Sequence, residues 1–186
     1  QDKPRGTVIV CHGGGFESRT GCEGFHVAEY FTNAGFNTAI LTYRLAPYTR
    51  RDALADIQRA VRLLRTEKES LNITDKIAVM GFSAGGMLSG NCGTHFDYGN
   101  NSSYDLIEHQ SCRPDAVVMG YGAFATVSFP EGFMRNPFAD PDREEKVYLA
   151  PEKNLTVDTP PFFIWQTNSD DPRNAFVLAS ALTDMG

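Results

Sequence analysis

Five short apolar runs punctuate the chain, and none alternates strictly with polar residues. They are Thr7–Val10 (TVIV), Asn37–Tyr43 (NTAILTY), Lys76–Gly81 (KIAVMG), Asp115–Tyr121 (DAVVMGY) and Phe162–Thr167 (FFIWQT). Continuous apolar runs of this length predict strands covered on both faces. Between them the rhythm lengthens. Arg51–Glu67 sets Leu54, Ile57, Ala60, Val61 and Leu64 three and four residues apart, which makes one apolar stripe on a helix. Glu23–Ala34 reads as a helix stopped by Gly35 at the C′ position. A third helix runs from Ala84 to about Cys92. A fourth spans Asn174–Met185, with Phe176, Val177, Ala179, Ala181 and Leu182 in helical phase. Strand–helix alternation of this kind predicts an α/β fold in one domain over residues 1–186, a mostly parallel sheet with helices on both faces.

The rhythm breaks between Phe124 and Pro160. This segment is rich in Phe, Pro, Met and charge, and it is long for a plain connection. Lying between two strands, it is expected to leave one end of the sheet and cover a site there.

Composition narrows the function classes. A length of 186 residues with 41% hydrophobic content is enough for one real core. The net charge of -6 gives no basic face, so no nucleic-acid partner is expected. No run is long and apolar enough for a membrane span, so no membrane partner is expected either. The polar opening QDKPRG leads straight into a strand and does not read as a signal peptide. Cys11, Cys22, Cys92 and Cys112 have neither metal-like nor CxxC spacing. They read as free thiols of a cytoplasmic protein, with no metal and no cofactor expected. Sequons at Asn72, Asn100, Asn101 and Asn154 are patterns short enough to arise by chance. Nothing in the sequence fixes an oligomeric state.

The chemistry lies at two strand ends. Gly81-Phe82-Ser83-Ala84-Gly85 fits G-x-S-x-G, with a strand before it and a helix after it. That context makes Ser83 a candidate catalytic nucleophile on a sharp turn, at a helix N-terminus that favours developing negative charge. His12-Gly13-Gly14-Gly15 follows the first strand, and its glycines let backbone N–H groups approach a substrate oxygen. The expected oxyanion hole is Gly14 and Gly15 with Ala84, and Gly13 is an alternate. His12 is expected to hold the loop rather than to carry protons. Asp170 and Asp171 follow the fifth run, and either could orient a histidine. Asp170 is the first choice for the triad acid.

The base is missing from this pattern. The nucleophile–acid order of such an elbow places the histidine last. His12, His26, His95 and His109 all precede Asp170. The expectation is therefore a C-terminally shortened domain, whose histidine-bearing part lies beyond Gly186. Such a chain would expose a sheet edge and an apolar helix face and would tend to associate.

Several stretches together resemble the α/β-hydrolase superfamily, and within it the bacterial acetyl-esterase and xylan-esterase-like group. They are VIVCHGGGF (Val8–Phe16), LTYRLAP (Leu41–Pro47), DALADIQRAVRLLR (Asp52–Arg65), VMGFSAGG (Val79–Gly86), RPDAVVMGYG (Arg113–Gly122) and PPFFIWQTNSDD (Pro160–Asp171). The resemblance implies an eight-stranded, mostly parallel sheet. It also implies a serine carboxylic ester hydrolase that works through an acyl-enzyme on short acyl esters, including acetyl esters of sugars. Gly120–Phe124 and the segment after it are candidates for the acyl pocket. Two other readings stand beside this one: a binding module that has lost catalysis, and a peptidase or arylformamidase-like amidase using the same triad logic.

Overall fold

The computed structural model describes residues 3–122 and 143–186. Five strands carry the architecture: β1 (Arg5–Cys11), β2 (Asn37–Leu41), β3 (Ile73–Phe82), β4 (Ala116–Gly120) and β5 (Phe162–Trp165). Helices α1 (Gly21–Asn33), α2 (Arg50–Thr66), α3 (Ala84–Thr94), α4 (Arg143–Leu149) and α5 (Arg173–Asp184) connect or follow them. The sheet order is β2-β1-β3-β4-β5, and every neighbouring pair is parallel. The further strands implied by the resemblance are not among the described residues.

Two-sided burial explains the apolar runs of β1, β3 and β4, whereas β2 and β5, outermost among the described strands, leave Ile40 and Phe163 exposed. Ile9 and Cys11 of β1, Ile77 and Val79 of β3, and Val117 and Met119 of β4 share one core with residues of α2, α3 and α5. Their neighbours Val8, Val10, Met80 and Phe82 face the opposite core, with Ala28, Val27 and Phe31 of α1. Successive strand residues point to opposite faces, so a strand covered on both sides must be apolar throughout.

The helices follow their sequence signals. In α2, Leu54, Ile57 and Val61 are buried, and Ala60 and Leu64 pack against the same core. Each fully buried side chain of this size contributes about 1.5–3 kcal/mol. A capping box starts the helix: the Thr49 hydroxyl accepts from the Asp52 N–H, and the Asp52 carboxylate accepts from the Thr49 N–H at 2.8 Å. At the end of α1, Gly35 takes φ +95°, and its N–H donates to the Thr32 carbonyl.

Of the expected site-covering segment, residues 124–142 lie outside the described residues. The part from residue 143 onward packs on the helix layer. Glu145 pairs with Arg51 of α2, Tyr148 stacks on His95, and Asn91 of α3 donates to the Leu149 carbonyl at 2.6 Å.

Asp115 fixes the entry of β4 against β3. Its carboxylate accepts from the Ile77 N–H and pairs with Arg65 and Lys76. Burial alone would raise its pKa, but these donors and cations outweigh burial and hold it below the ordinary carboxylate value. A depressed folded-state pKa gives stability that is present above the unfolded-state value of about 3.9 and is lost as pH falls through the folded one. The melting temperature of the wild type is therefore expected to fall below about pH 4 more steeply than that of Asp115→Asn. Parallel curves for the two proteins would remove Asp115 from the acid transition.

Candidate active site

From β1 the chain runs outward to β2, then crosses back to lay β3 on the other side of β1. The loops leaving the adjacent C-terminal ends of β1 and β3 therefore diverge, one toward α1 on one face and one into α3 on the other. A crevice opens at such a switch point, and ligands of open parallel sheets bind there. The glycine loop and Ser83 occupy these two ends.

Ser83 sits at φ 51°, ψ -120°, between the end of β3 and the first residue of α3. A non-glycine residue held there stores about 1–3 kcal/mol of strain, which persists only where its surroundings impose it. The surroundings are tight. The Ser83 N–H donates to the Gly120 carbonyl at 2.9 Å, and the Met87 N–H donates to the Ser83 carbonyl at 3.0 Å. A Cβ on Gly81 would collide with the Gly85 backbone, and one on Gly85 would collide with the Cys11 carbonyl. Backbone cannot yield cheaply at either position. Gly85→Ala is accordingly expected to cost roughly 3 kcal/mol of stability, the upper range for overpacking. Denaturant melts would show it as a lower midpoint, and an unchanged midpoint would mean that the elbow has slack.

The glycine loop lies directly against the elbow. A Cβ built on Gly13 would stand 3.1 Å from the Ser83 Cβ. The Gly13 carbonyl accepts from the Thr20 N–H at 3.4 Å, and the Gly14 carbonyl accepts from the Glu17 and Ser18 N–H groups, each at 3.0 Å. In a trans peptide the N–H points opposite to the carbonyl. The N–H groups of Gly14 and Gly15 therefore turn away from the 17–20 turn. Gly14 and Gly15 have φ of 115° and 64°, conformations that glycine adopts without penalty. Ala84 opens α3, so its N–H is among the first-turn donors that no helical carbonyl satisfies. The alternate donor Gly13 is committed elsewhere: its N–H donates to Glu23 Oε2 at 2.7 Å.

His12 is 3% exposed, with Nδ1 2.7 Å from the Gly13 carbonyl and its ring stacked on Tyr43 at 4.4 Å. Burial lowers its pKa, against the opposing pull of the Gly13 carbonyl. The Tyr43 hydroxyl donates to the His12 carbonyl at 2.7 Å. Phe16 closes the loop, buried edge-on against Tyr43, with the buried Arg50 guanidinium 5.3 Å from its ring. Burial pulls the Arg50 pKa down to about 10. Beneath the loop, burial pushes the Cys11 thiol up to about 12. Cys92 and Cys112 are also buried, whereas Cys22, at the start of α1, is exposed.

The other three histidines are engaged away from Ser83. His26 lies on the exposed surface of α1, His95 packs on Tyr148, and His109 Nε2 is 2.8 Å from the Ser103 carbonyl. The two aspartates divide their roles. The Asp171 carboxylate is filled by Arg173, accepting from its N–H at 3.0 Å and its Nε at 2.8 Å, which starts α5. Arg173 holds Asp171 below the usual carboxylate range. Asp170 is exposed at the end of β5 and accepts from the Thr167 hydroxyl at 2.7 Å.

Glu23 carried no signal in the sequence, and Tyr121 was marked for the site only as part of the acyl-pocket stretch Gly120–Phe124. The Tyr121 hydroxyl donates to Glu23 Oε1 at 2.9 Å. Of the acyl-pocket candidates, Gly120–Gly122 are described, and Ala123 and Phe124 lie outside the described residues. Among the described residues no group of three or more His, Cys, Asp or Glu is placed to hold a metal ion, and no helix is long and apolar enough to cross a membrane.

A serine elbow at the end of one strand, facing a glycine loop at the end of its neighbour in a parallel sheet, defines the α/β-hydrolase class. The BD-FAE family matches residues 1–175, and the chain belongs to that family. It is 34% identical over 195 residues to endo-1,4-beta-xylanase B of Butyrivibrio fibrisolvens, which covers 98% of this chain and 30% of that protein. It is 28% identical over 109 residues to an acetylxylan esterase of Xylanibacter ruminicola, covering 57% of this chain and 23% of that protein. The chain thus spans less than a third of the length of these curated relatives. Among solved structures, the acetyl ester-xyloside bifunctional hydrolase from Caldicellulosiruptor lactoaceticus superposes with a TM-score of 0.94 at 34% identity. That match covers all of this chain and 71% of the other.

Proposed function

We propose that this chain carries the nucleophile and oxyanion hole of a serine carboxylic ester hydrolase acting on short acyl esters, including acetyl esters of sugars. The observation that carries the proposal is the strained backbone of Ser83, held at a helix N-terminus against the glycine loop. A chain that only bound ligands would have little reason to keep both the elbow and the glycine loop, which weighs against the binding-module reading. The likeness to an acetylxylan esterase and to an acetyl ester-xyloside hydrolase supports acetylated sugars as the substrate class.

In this mechanism Ser83 Oγ attacks the acyl carbon while a histidine takes its proton. The carbonyl oxygen becomes an oxyanion held by the N–H groups of Gly14, Gly15 and Ala84. The alcohol departs with the proton and leaves an acyl-serine. Water then attacks this ester, the carboxylic acid departs, and Ser83 regains its proton. Asp170 orients the histidine. Since none of the four histidines meets Ser83, the base is assigned to a histidine beyond residues 1–186.

The test is to treat the full-length protein with a serine-reactive phosphonate and locate the adduct by peptide mass spectrometry. A single adduct on Ser83 is expected. Modification of any other serine sinks the assignment.

A further inference from the structure

We propose that Glu23 is the positioning residue of the oxyanion hole, a carboxylate clamp that sets the glycine loop against the nucleophile. The inference rests on the reading of Ser83 as nucleophile and deepens it.

One carboxylate joins three strand ends. Glu23 Oε2 accepts from the Gly13 N–H at 2.7 Å, which holds the loop after β1. Glu23 Oε1 accepts from the Tyr121 hydroxyl at 2.9 Å, which ties in the end of β4. The residue before Tyr121, Gly120, accepts the Ser83 N–H at 2.9 Å, and this links the turn after β3. Both Glu23 oxygens therefore serve the geometry around Ser83, though Glu23 itself lies on α1.

Each partner is stiff. Tyr121 is held at φ 32°, an uncommon angle for a non-glycine residue, with its ring against Phe82 at 5.4 Å and Trp165 at 4.9 Å. Its hydroxyl pKa is raised, first by burial and then by the bond to Glu23, so the hydroxyl stays a donor. Glu23 lies in the first turn of α1, where the helix dipole favours a carboxylate. Hydrogen bonds to an ionised acceptor are about twice as strong as neutral ones, which suits a clamp on a glycine-rich loop.

The clamp also decides which donors face the substrate. With its N–H turned to Glu23, Gly13 is withdrawn from the oxyanion hole. The next peptides are oriented by the carbonyl bonds of Gly13 and Gly14 to the 17–20 turn. The oxyanion hole then consists of Gly14, Gly15 and Ala84. Without Glu23 the Gly13 N–H loses its anchor, and the peptides that carry the next two donors are held only by their carbonyl bonds to the 17–20 turn.

The experiment uses the full-length protein with Glu23→Ala, Glu23→Gln and Tyr121→Phe. Two readouts are taken: steady-state hydrolysis of p-nitrophenyl acetate, and hydrogen exchange at the Gly13 amide by NMR. Glu23→Ala is expected to lower kcat about 10- to 100-fold with KM within about threefold, because misplaced oxyanion donors act on the transition state. The Gly13 amide should exchange at least about tenfold faster, as expected for a local opening. Glu23→Gln keeps an oxygen for Gly13, and its amide N–H can donate to the Tyr121 oxygen. It should recover kcat to within about fivefold of wild type and restore slow exchange of the Gly13 amide, a readout that side-chain bulk alone does not set. Tyr121→Phe removes one bond and should fall between the two, and it decides the matter if Glu23→Ala does not fold. A kcat for Glu23→Ala within about twofold of wild type, or an unchanged Gly13 exchange rate, overturns the clamp. Should the wild type hydrolyse no ester, the proposed function fails, and Gly13 exchange alone judges the clamp.

Discussion

Ser83→Ala is expected to lower kcat for an acetyl ester roughly a million-fold, the scale set by removing a serine nucleophile from a complete triad. Hydrolysis by the variant should remain above the uncatalysed rate, since the oxyanion donors of Gly14, Gly15 and Ala84 are untouched. The fold should be unaffected, because alanine at φ 51° carries a strain similar to that of serine. Ser83→Gly gives the matching control on stability. Glycine accepts this conformation freely but gains unfolded-state entropy, so a net stabilisation of about 1 kcal/mol is expected. In a chain of this size that raises the melting temperature by about 2–4 °C. A more stable glycine variant would show that the native fold holds the Ser83 backbone under strain, its inactivity following from the lost hydroxyl. A Ser83→Ala protein that kept wild-type turnover would end the nucleophile assignment.

Asp170→Asn is expected to lower kcat about ten-thousand-fold with little change in KM, as when the acid that fixes a histidine tautomer is neutralised. Asp171→Asn should cost far less activity, because the Asp171 carboxylate is occupied by Arg173 at the start of α5. Its effect belongs to stability, through loss of a contact to the helix N-terminus. Measuring kcat and KM for both variants, with a thermal melt of each, separates the roles. If Asp171→Asn loses the activity and Asp170→Asn keeps it, the triad acid is Asp171. The hold of Arg173 on the Asp171 carboxylate favours the first outcome.

The sequence revealed most where chemistry depends on local order. Runs buried on both faces must be apolar at every position, which made β1, β3 and β4 legible; β2 and β5 were read from similar runs although Ile40 and Phe163 are exposed, and strand ends shift by at most three residues. The Ile73 end of β3 was missed because Thr74 and Asp75 separate Ile73 from the run that begins at Lys76. G-x-S-x-G and the glycine triplet were legible because a sharp turn needs glycine at fixed offsets from the nucleophile. Contacts between distant segments left no such mark. Glu23 looked like an ordinary first-turn acid, yet it bonds to Tyr121, 98 residues away. Asp170 and Asp171 were nearly equivalent as sequence, and only the placement of Arg173 distinguishes them. The short helix α4 was hidden in a segment whose Pro and Phe content suggested an irregular path.

The distribution of thiols has a practical consequence. Cys11, Cys92 and Cys112 are sealed in the interior, while Cys22 stands exposed next to Glu23 in the chain. Within residues 1–186, a maleimide dye or nitroxide would thus attach at one address without any engineered cysteine. That address adjoins Glu23, whose carboxylate accepts from the Gly13 N–H, so the attached probe would report opening of this contact as a change in fluorescence or spectral line width.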